Sequence, residues 1–544
     1  MKSCVRQLAP ARFAAVRGFQ VRRSFATASI QPYTTPRPPI GVPESDESLF
    51  SYTSGRWLYN ESQQMAQRYT KFNVAALNRV ISTVCDGASV VCMEKKEGVF
   101  NKSFIVTLTN GRSVVARIKN PVAGPEHLCT ASGVATMDFT RNILGVPVPK
   151  VLAWSSQAAT NGVGAEFIIM ECAPGVQLST VWSKLGARER KNVVNSVISV
   201  EQRLLEVQFS HYGSLYYKSD IPNAWQAPQL FADRSREDTA TAKFCIGPSA
   251  DRTFHEDERA DMALDRGPWT DAGDYLRAAA LREEAWIASH ARPHMHDDPF
   301  RAVDEKALSS IIWHPDLNMG NIFVSPEDGY KVVSIIDWQG AWAGPAFLQM
   351  DTPAFVQYTG PGASLIPSGL SFPELPNTYE EMSPEQQAVA QRQHKDKMLQ
   401  KLYEIKQLLP YHAGLGSRRS TLTLPVRSAG RTWKDGILPL QLALLNVAAQ
   451  WPSLSTPDTP CPLRITRADA EGLAAETRAV RAVACILDDL RHTFGMRLYG
   501  WVSSADYGKT RRLLEGTMSV IDDGLRREMD DVLPGGWWPF KDTV

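Results

Sequence analysis

Residues 311–324 read I-I-W-H-P-D-L-N-M-G-N-I-F-V, and residues 332–338 read V-V-S-I-I-D-W. The first stretch ends in an apolar run, Ile322–Val324; the second is an apolar run, Val332–Ile336, that stops at Asp337. Between them, Ser325–Lys331 carries Pro326 and Asp328-Gly329. Such residues form turns, because proline presets φ and glycine reaches positive φ without strain. The two runs therefore predict a hairpin. Asp316 and Asn321 lie on the loop that enters one strand and Asp337 ends the other, so the three meet at the hairpin's open end. Phosphoryl transfer needs such a set. One carboxylate takes the proton of the attacking hydroxyl, while a second carboxylate and an amide oxygen hold magnesium on the nucleotide phosphates. The metal offsets phosphate charge that would otherwise oppose attack.

Upstream, residues 73–86 have apolar positions at Val74, Leu77, Val80, Ile81 and Val84, which predicts an amphipathic helix with Asn73 as N-cap. Ser89–Glu94, Ser103–Thr109 and Ser113–Ile118 read as strands, and the Asn110-Gly111 pair makes the last two a hairpin. Ala131–Leu144 reads as a helix ended by Val146-Pro147-Val148-Pro149. Val151–Trp154 and Glu166–Met170 read as two further strands. Residues 219–300 are charged and poor in strand signals, which predicts a helical insertion.

The spacing H-x-D-x-x-x-x-N followed by an I-D-W strand end resembles the protein-kinase-like fold, in its aminoglycoside and choline phosphotransferase branch. That resemblance implies an α+β, two-lobed chain with a small β-rich N-lobe carrying one main helix and a large, mostly helical C-lobe. It implies His314 and Asp316 as catalytic residues, Asn321 and Asp337 as ligands of Mg2+, and ATP as the nucleotide. Glu97–Ser103 then takes the place of a nucleotide-covering loop, which puts Asn101 and Lys102 at the nucleotide. Arg117, ending V-V-A-R, stands where the branch keeps a lysine, and Phe167–Gly175 matches the hinge, with Glu171 and Ala173 at the adenine. The acceptor would be a small molecule of unread identity, and nothing points to nucleic acid.

The likeness extends further. FSYTSGRWLYNE (50–61), RYTKFNVAALN (68–78), ASGVATMDFTRNILGVPVPKVLAWS (131–155), HYGSLYY (211–217) and GPW (267–269) together resemble the fungal altered inheritance of mitochondria protein 9 family. Two departures stand out. The family usually carries Glu where this chain has Gly133, a residue that would pair with the strand cation, here Arg117. Related enzymes usually have His where this chain has Asn318.

The start of the chain fits a mitochondrial address. Residues 1–25 hold six Lys or Arg and no acid, and the first acid is Glu44. An acid-poor, Arg-rich amphipathic start is the composition of a transit peptide that leads to the matrix. Residues 26–48, rich in Pro, Ser and Thr, read as a linker that cannot bury a core. The expected layout is an N-lobe over 49–170, a hinge over 171–175, and a C-lobe over 176–544 with the insertion at about 219–300 and a C-terminal helical extension. The whole chain has 544 residues, 43% apolar and 22% charged, with net charge +1. These values exclude wholesale disorder, and nothing in the net charge suggests a nucleic-acid coat. No apolar run reaches the ~18 residues of a spanning helix. Eight cysteines without a C-x-x-C pair argue against a zinc ribbon or disulfide framework. His290, His294 and His296 with Asp297 and Asp298 have only partial metal-ligand spacing. Three functions remain open at this point: a Mg2+- and ATP-dependent phosphotransferase, a pseudokinase acting through protein contacts, and an enzyme that transfers AMP. Oligomeric state is not legible.

Overall fold

A computed structural model describes residues 47–518, apart from 59, 236–238, 291–307, 364, 365, 368, 409–417, 430–436, 455–459, 475, 476, 478–493, 498 and 499. The targeting segment, nearly all of the linker and the stretch from His294 to Asp298 lie outside the described residues. A short strand, β1 (Gly55–Trp57), pairs antiparallel with Trp501–Ser503, so the two ends of the described chain meet.

Asn73 caps helix α1 (Val74–Val84) by accepting the N–H of Ala76 at 3.0 Å. Leu77 and Ile81, one turn apart on that helix, are fully buried. Then come β2 (Val90–Glu97), β3 (Asn101–Leu108) and β4 (Ser113–Lys119). The β3–β4 turn is Asn110-Gly111, with Gly111 at φ 78°. Helix α2 (Leu128–Asn142), β5 (Val151–Ser155) and β6 (Phe167–Glu171) complete a five-stranded sheet in the order β2-β3-β4-β6-β5. Side chains alternate across the sheet. Phe104 and Val106 of β3 lie opposite Ala116 and Val114 of β4, and all four join Leu77 and Ile81 in one core. Arg117 and Lys119, one step out of that phase, take the opposite face, towards α2.

Helix α2 begins at Leu128, earlier than the apolar pattern from Ala131 suggests, and Glu126 precedes it. Every residue from Cys129 to Met137 is buried, so the helix has no solvent face to give an amphipathic start signal. Its Val134, Ala135 and Phe139 enter a second, larger core.

That core is built with β7 (Val176–Gln177), α3 (Ala187–Leu204), β8 (Ser214–Tyr217), β9 (Phe244–Gly247), β10 (Ser310–Ile312), β11 (Ile322–Ser325), β12 (Lys331–Ile335) and β13 (Ala343–Pro345), while α4 (Ala272–His290) and α5 (Pro384–Tyr403) place residues in smaller clusters. Further helices span Arg418–Ala429, Leu438–Leu454 and Tyr507–Met518. The segment expected to be a helical insertion contains β9, antiparallel to β8. Its F-C-I-G run is too short to show a period, and all four residues are buried. Among the described residues no helix is long and apolar enough to cross a membrane.

Gly175 joins the two parts. It has φ 83°, and a Cβ there would lie 2.5 Å from the carbonyl oxygen of Val324. Only glycine allows both the conformation and the approach. The chain then runs directly into β7, which pairs with β11, so the link is hooked onto the hairpin.

Candidate active site

The β11–β12 hairpin pairs Ile322 with Ile335. At its open end the N–H of Ile336 donates to the carbonyl oxygen of Asn321 at 3.0 Å. The Asn321 side-chain amide donates to the carbonyl oxygen of Asp316 at 2.8 Å, which closes the loop on itself. Asn318 orients the carboxylate: its amide nitrogen donates to Oδ2 of Asp316 at 2.9 Å, and its amide oxygen accepts the N–H of Gly320 at 2.7 Å. Asp316 itself is exposed.

His314 is buried, and both ring nitrogens are occupied. Nε2 donates to the carbonyl oxygen of Ile336 at 2.9 Å, and Nδ1 accepts the N–H of Asp316 at 3.2 Å. Its ring meets Trp338 edge-on at 4.8 Å. Burial pushes the imidazole pKa down from its ordinary value. A neutral histidine with both nitrogens engaged cannot shuttle a proton to a substrate. The catalytic role expected for His314 is therefore corrected to a positioning role, a brace between the Asp316 loop and the strand that leads to Asp337.

Asp337 sits at φ 67°, a left-handed conformation that a non-glycine residue keeps only when its surroundings impose it. Arg117 Nη2 donates to Oδ1 of Asp337 at 2.5 Å and to Oε1 of Gln339 at 2.6 Å. Gln339 in turn donates to the carbonyl oxygen of Ala123 at 3.0 Å. The amide of Asn101 lies within hydrogen-bonding distance of Arg117 Nη2, at 2.6 Å, and of Gln339. So Asn101 and Arg117 of the sheet meet Asp337 and Gln339 of the hairpin.

Lys102 does not join them. It is fully buried on the other face, where Nζ donates to Asn120 Oδ1 at 2.5 Å and to the carbonyl oxygen of Arg68. Burial pulls its pKa down to about 8. Adjacent strand residues point to opposite faces, so Asn101 and Lys102 could not both reach the cleft. The nucleotide role expected for Lys102 is corrected on that ground. Glu171 is still a sheet residue, opposite Val114, and its Oε2 accepts the N–H of Lys150 at 3.1 Å. Ala173 lies half-buried in the link to β7, and among the described residues no backbone hydrogen bond engages it or Cys172.

Gly133 faces Arg117 across a cavity of about 20 Å³, roughly one water's room. A Cβ built on Gly133 meets nothing within 4 Å. The same cavity is lined by Lys119 and Glu166, a buried ion pair at 3.2 Å. Sequence reasoning missed Gln339 and Glu166 as neighbours of Arg117. The signal for Gln339 was its place two residues after Asp337; for Glu166, its place immediately before β6.

The donors present suit magnesium. Asn321 spends its amide nitrogen on Asp316, which leaves the amide oxygen as the acceptor, and Asp337 has one carboxylate oxygen outside the Arg117 contact. Among the described residues no three His, Cys, Asp or Glu side chains form a closed cage. One or two hard oxygen ligands, completed by phosphate, are what Mg2+ takes.

Residues 96–348 match the phosphotransferase enzyme family. The chain is 29% identical over 517 residues to a subtelomeric hrmA-associated cluster protein of Aspergillus fumigatus, covering 82% of this chain and 96% of that one. It is 25% identical over 422 residues to Altered inheritance of mitochondria protein 9, mitochondrial, of Komagataella phaffii, covering 63% of this chain and 67% of that one. Among solved structures, the GDP complex of aminoglycoside 2'-phosphotransferase-IIIa covers 70% of this chain and 99% of its own, with 11% identity and a TM-score of 0.27. The architecture described above is α+β, and the family match spans β3–β6, the link at Gly175 and the β11–β12 hairpin.

Proposed function

We propose that this chain, whose residues 96–348 match a phosphotransferase family, transfers a phosphoryl group from Mg·ATP to the hydroxyl or amine of a small molecule in the mitochondrial matrix. The observation that carries the reading is the junction of two lobes at one point. Asp316 and Asn321 are tied by a 2.8 Å bond at the hairpin end, and Asp337 at the same end holds the sheet cation Arg117 at 2.5 Å. In this reading the exposed carboxylate of Asp316, oriented by Asn318, takes the acceptor's proton as attack proceeds. Asn321 and Asp337 hold the metal, which when bound neutralises charge on the phosphates. Arg117 and Asn101 face the phosphates from the sheet, and the backbone after Glu171, at Cys172 and Ala173, meets the base. Support for the compartment comes from the acid-free basic start and from the mitochondrial names of relatives.

A second reading has its own observation. Arg117 rests on Asp337 and no carboxylate stands at 133. A pseudokinase would keep that contact and bind nucleotide weakly. Incubating the full chain with Mg·ATP and resolving the nucleotide products separates the readings. Release of ADP that disappears in Asp316→Asn supports phosphoryl transfer. Pyrophosphate release points to AMP transfer, and failure of the full chain to bind Mg·ATP supports the pseudokinase.

A further inference from the structure

The carboxylate that this chain lacks at Gly133 has a substitute across the same cavity. On β4 and β6, Arg117 is paired in register with Ile168. Glu166, two residues before Ile168, is therefore the diagonal neighbour of Arg117 on the same sheet face, a separation that long side chains span. Glu166 is buried, 6% exposed. Its Oε1 is occupied by Lys119 at 3.2 Å and by the N–H of His127 at 3.2 Å. Its Oε2 is buried without a hydrogen-bond partner. Buried polar atoms are almost always paired, so an unpaired carboxylate oxygen calls for a reason. That oxygen belongs to a side chain lining the cavity that Arg117 and Gly133 also line, and a Cβ at Gly133 would meet nothing within 4 Å.

We infer that Glu166 is the positioning residue for Arg117: it takes the guanidinium when Arg117 leaves Asp337, and holds it for the nucleotide phosphates in place of a helix carboxylate at 133. The inference rests on the phosphotransferase reading above. Arg117 covers the carboxylate that the phosphotransferase reading assigns to the metal. For Asp337 to serve a metal, the guanidinium needs a second anionic rest, and Glu166 supplies the only unsatisfied buried carboxylate oxygen lining that cavity among the described residues. Lys119 has a separate task. Its Nζ also donates to the carbonyl oxygens of Gly124 and Pro125, at 2.9 and 3.3 Å, and so fastens the turn before α2.

The test titrates Mg·ATP into the full chain as wild type, Glu166→Gln, Lys119→Met, Gly133→Glu and the Glu166→Gln/Gly133→Glu double variant, with unfolding temperatures measured alongside. Glu166→Gln is expected to weaken Mg·ATP about tenfold or more, the size of a hydrogen bond to a charged group. Lys119→Met is expected to lower the unfolding temperature while keeping the affinity. Gly133→Glu is expected to change the wild type little and to restore affinity in the double variant, a coupling that independent sites do not show. Glu166→Asp keeps charge for Lys119 but is too short for the diagonal, so it is expected to fold and still lose affinity; it serves if Glu166→Gln does not fold. Equal loss in Glu166→Gln and Lys119→Met, or unchanged affinity in Glu166→Gln, overturns the inference while leaving the nucleotide reading intact. Absence of Mg·ATP binding in all the proteins, wild type included, overturns the nucleotide reading and the inference with it.

Discussion

Arg117 and Asp337, separated by 220 positions in the chain, form an ion pair at 2.5 Å that joins the sheet to the end of the hairpin. Arg117 is nearly buried and Asp337 is 45% exposed. A pair open to water on one side is worth only about 0–1 kcal/mol. In the proposed phosphotransferase reading it is a contact that incoming phosphate and metal displace.

Asp337 and Asp316 should fail differently. Asp337→Ala removes the carboxylate proposed to hold the metal and is expected to abolish Mg2+-dependent nucleotide binding. Asp316→Asn keeps the shape and the bond from Asn318 but not the proton acceptor. It should leave binding nearly unchanged and cut turnover by about 10²–10⁴-fold. Binding titration and turnover on both variants decide; equal loss of binding in the two contradicts the division.

Neighbouring Asn101 and Lys102 give a sharper contrast. Lys102→Met leaves the carbonyl of Arg68 and Oδ1 of Asn120 without their donor, at about 1–3 kcal/mol for each unsatisfied buried group. Its unfolding temperature should drop with Mg·ATP affinity intact. Asn101→Ala, on the cleft face beside Arg117, should do the reverse. A Lys102→Met variant that folds normally and loses nucleotide affinity would place Lys102 back at the phosphates.

His314 should stay neutral through the pH range in which a free histidine gains its proton. Burial depresses its folded pKa, so any stability it contributes is present above the unfolded value, about 6.5, and is lost as pH falls through the folded one. Nitrogen-resolved NMR of the ring is expected to show Nε2 protonated and Nδ1 bare at pH 6.5. A ring that titrates there contradicts the brace.

Glu201 on α3 is buried, and its carboxyl lies against the hydroxyl of Tyr403, which donates at 3.0 and 2.9 Å. Burial pushes its pKa up to about 8. The folded chain thus holds a proton that the unfolded chain releases above about pH 4.3. Stability from this group is fully present below that pH and is lost as pH rises through 8. Glu201→Gln removes the slope. Its advantage in unfolding free energy over wild type should grow by a few kcal/mol between about pH 5 and 8. The same difference at both pH values contradicts a protonated Glu201.

Much of this was legible because it is local. The hairpin follows from two apolar runs and a Pro and Asp-Gly link, and α1 from its apolar spacing and Asn73. What lies at the site between lobes was legible only in part. Arg117 and Asp337 could each be singled out from their own strands, but their contact with each other, and with Gln339, depends on how the sheet docks on the hairpin. Lys102 was misplaced because a loop reading ignored the two-residue alternation that β3 imposes. The start of α2 and strand β9 were misread for one reason: segments buried on all sides carry no polar face, and periodicity is a contrast between faces. Residue 133 announced a missing carboxylate, while Glu166 was hidden, since nothing in a sequence shows which residues lie diagonally across two strands.

In the proposed function, Asp316, Asn321, Asp337 and Arg117 together form a Mg·nucleotide site. Unfolding of the full wild-type chain, followed as ATP is raised with and without Mg2+, tests it most directly. A specific site gives saturable stabilisation that requires the metal, reaching about 2.7 kcal/mol at a ligand concentration one hundred times the dissociation constant. An unfolding temperature that does not move with Mg·ATP, or that moves equally without the metal, contradicts the account.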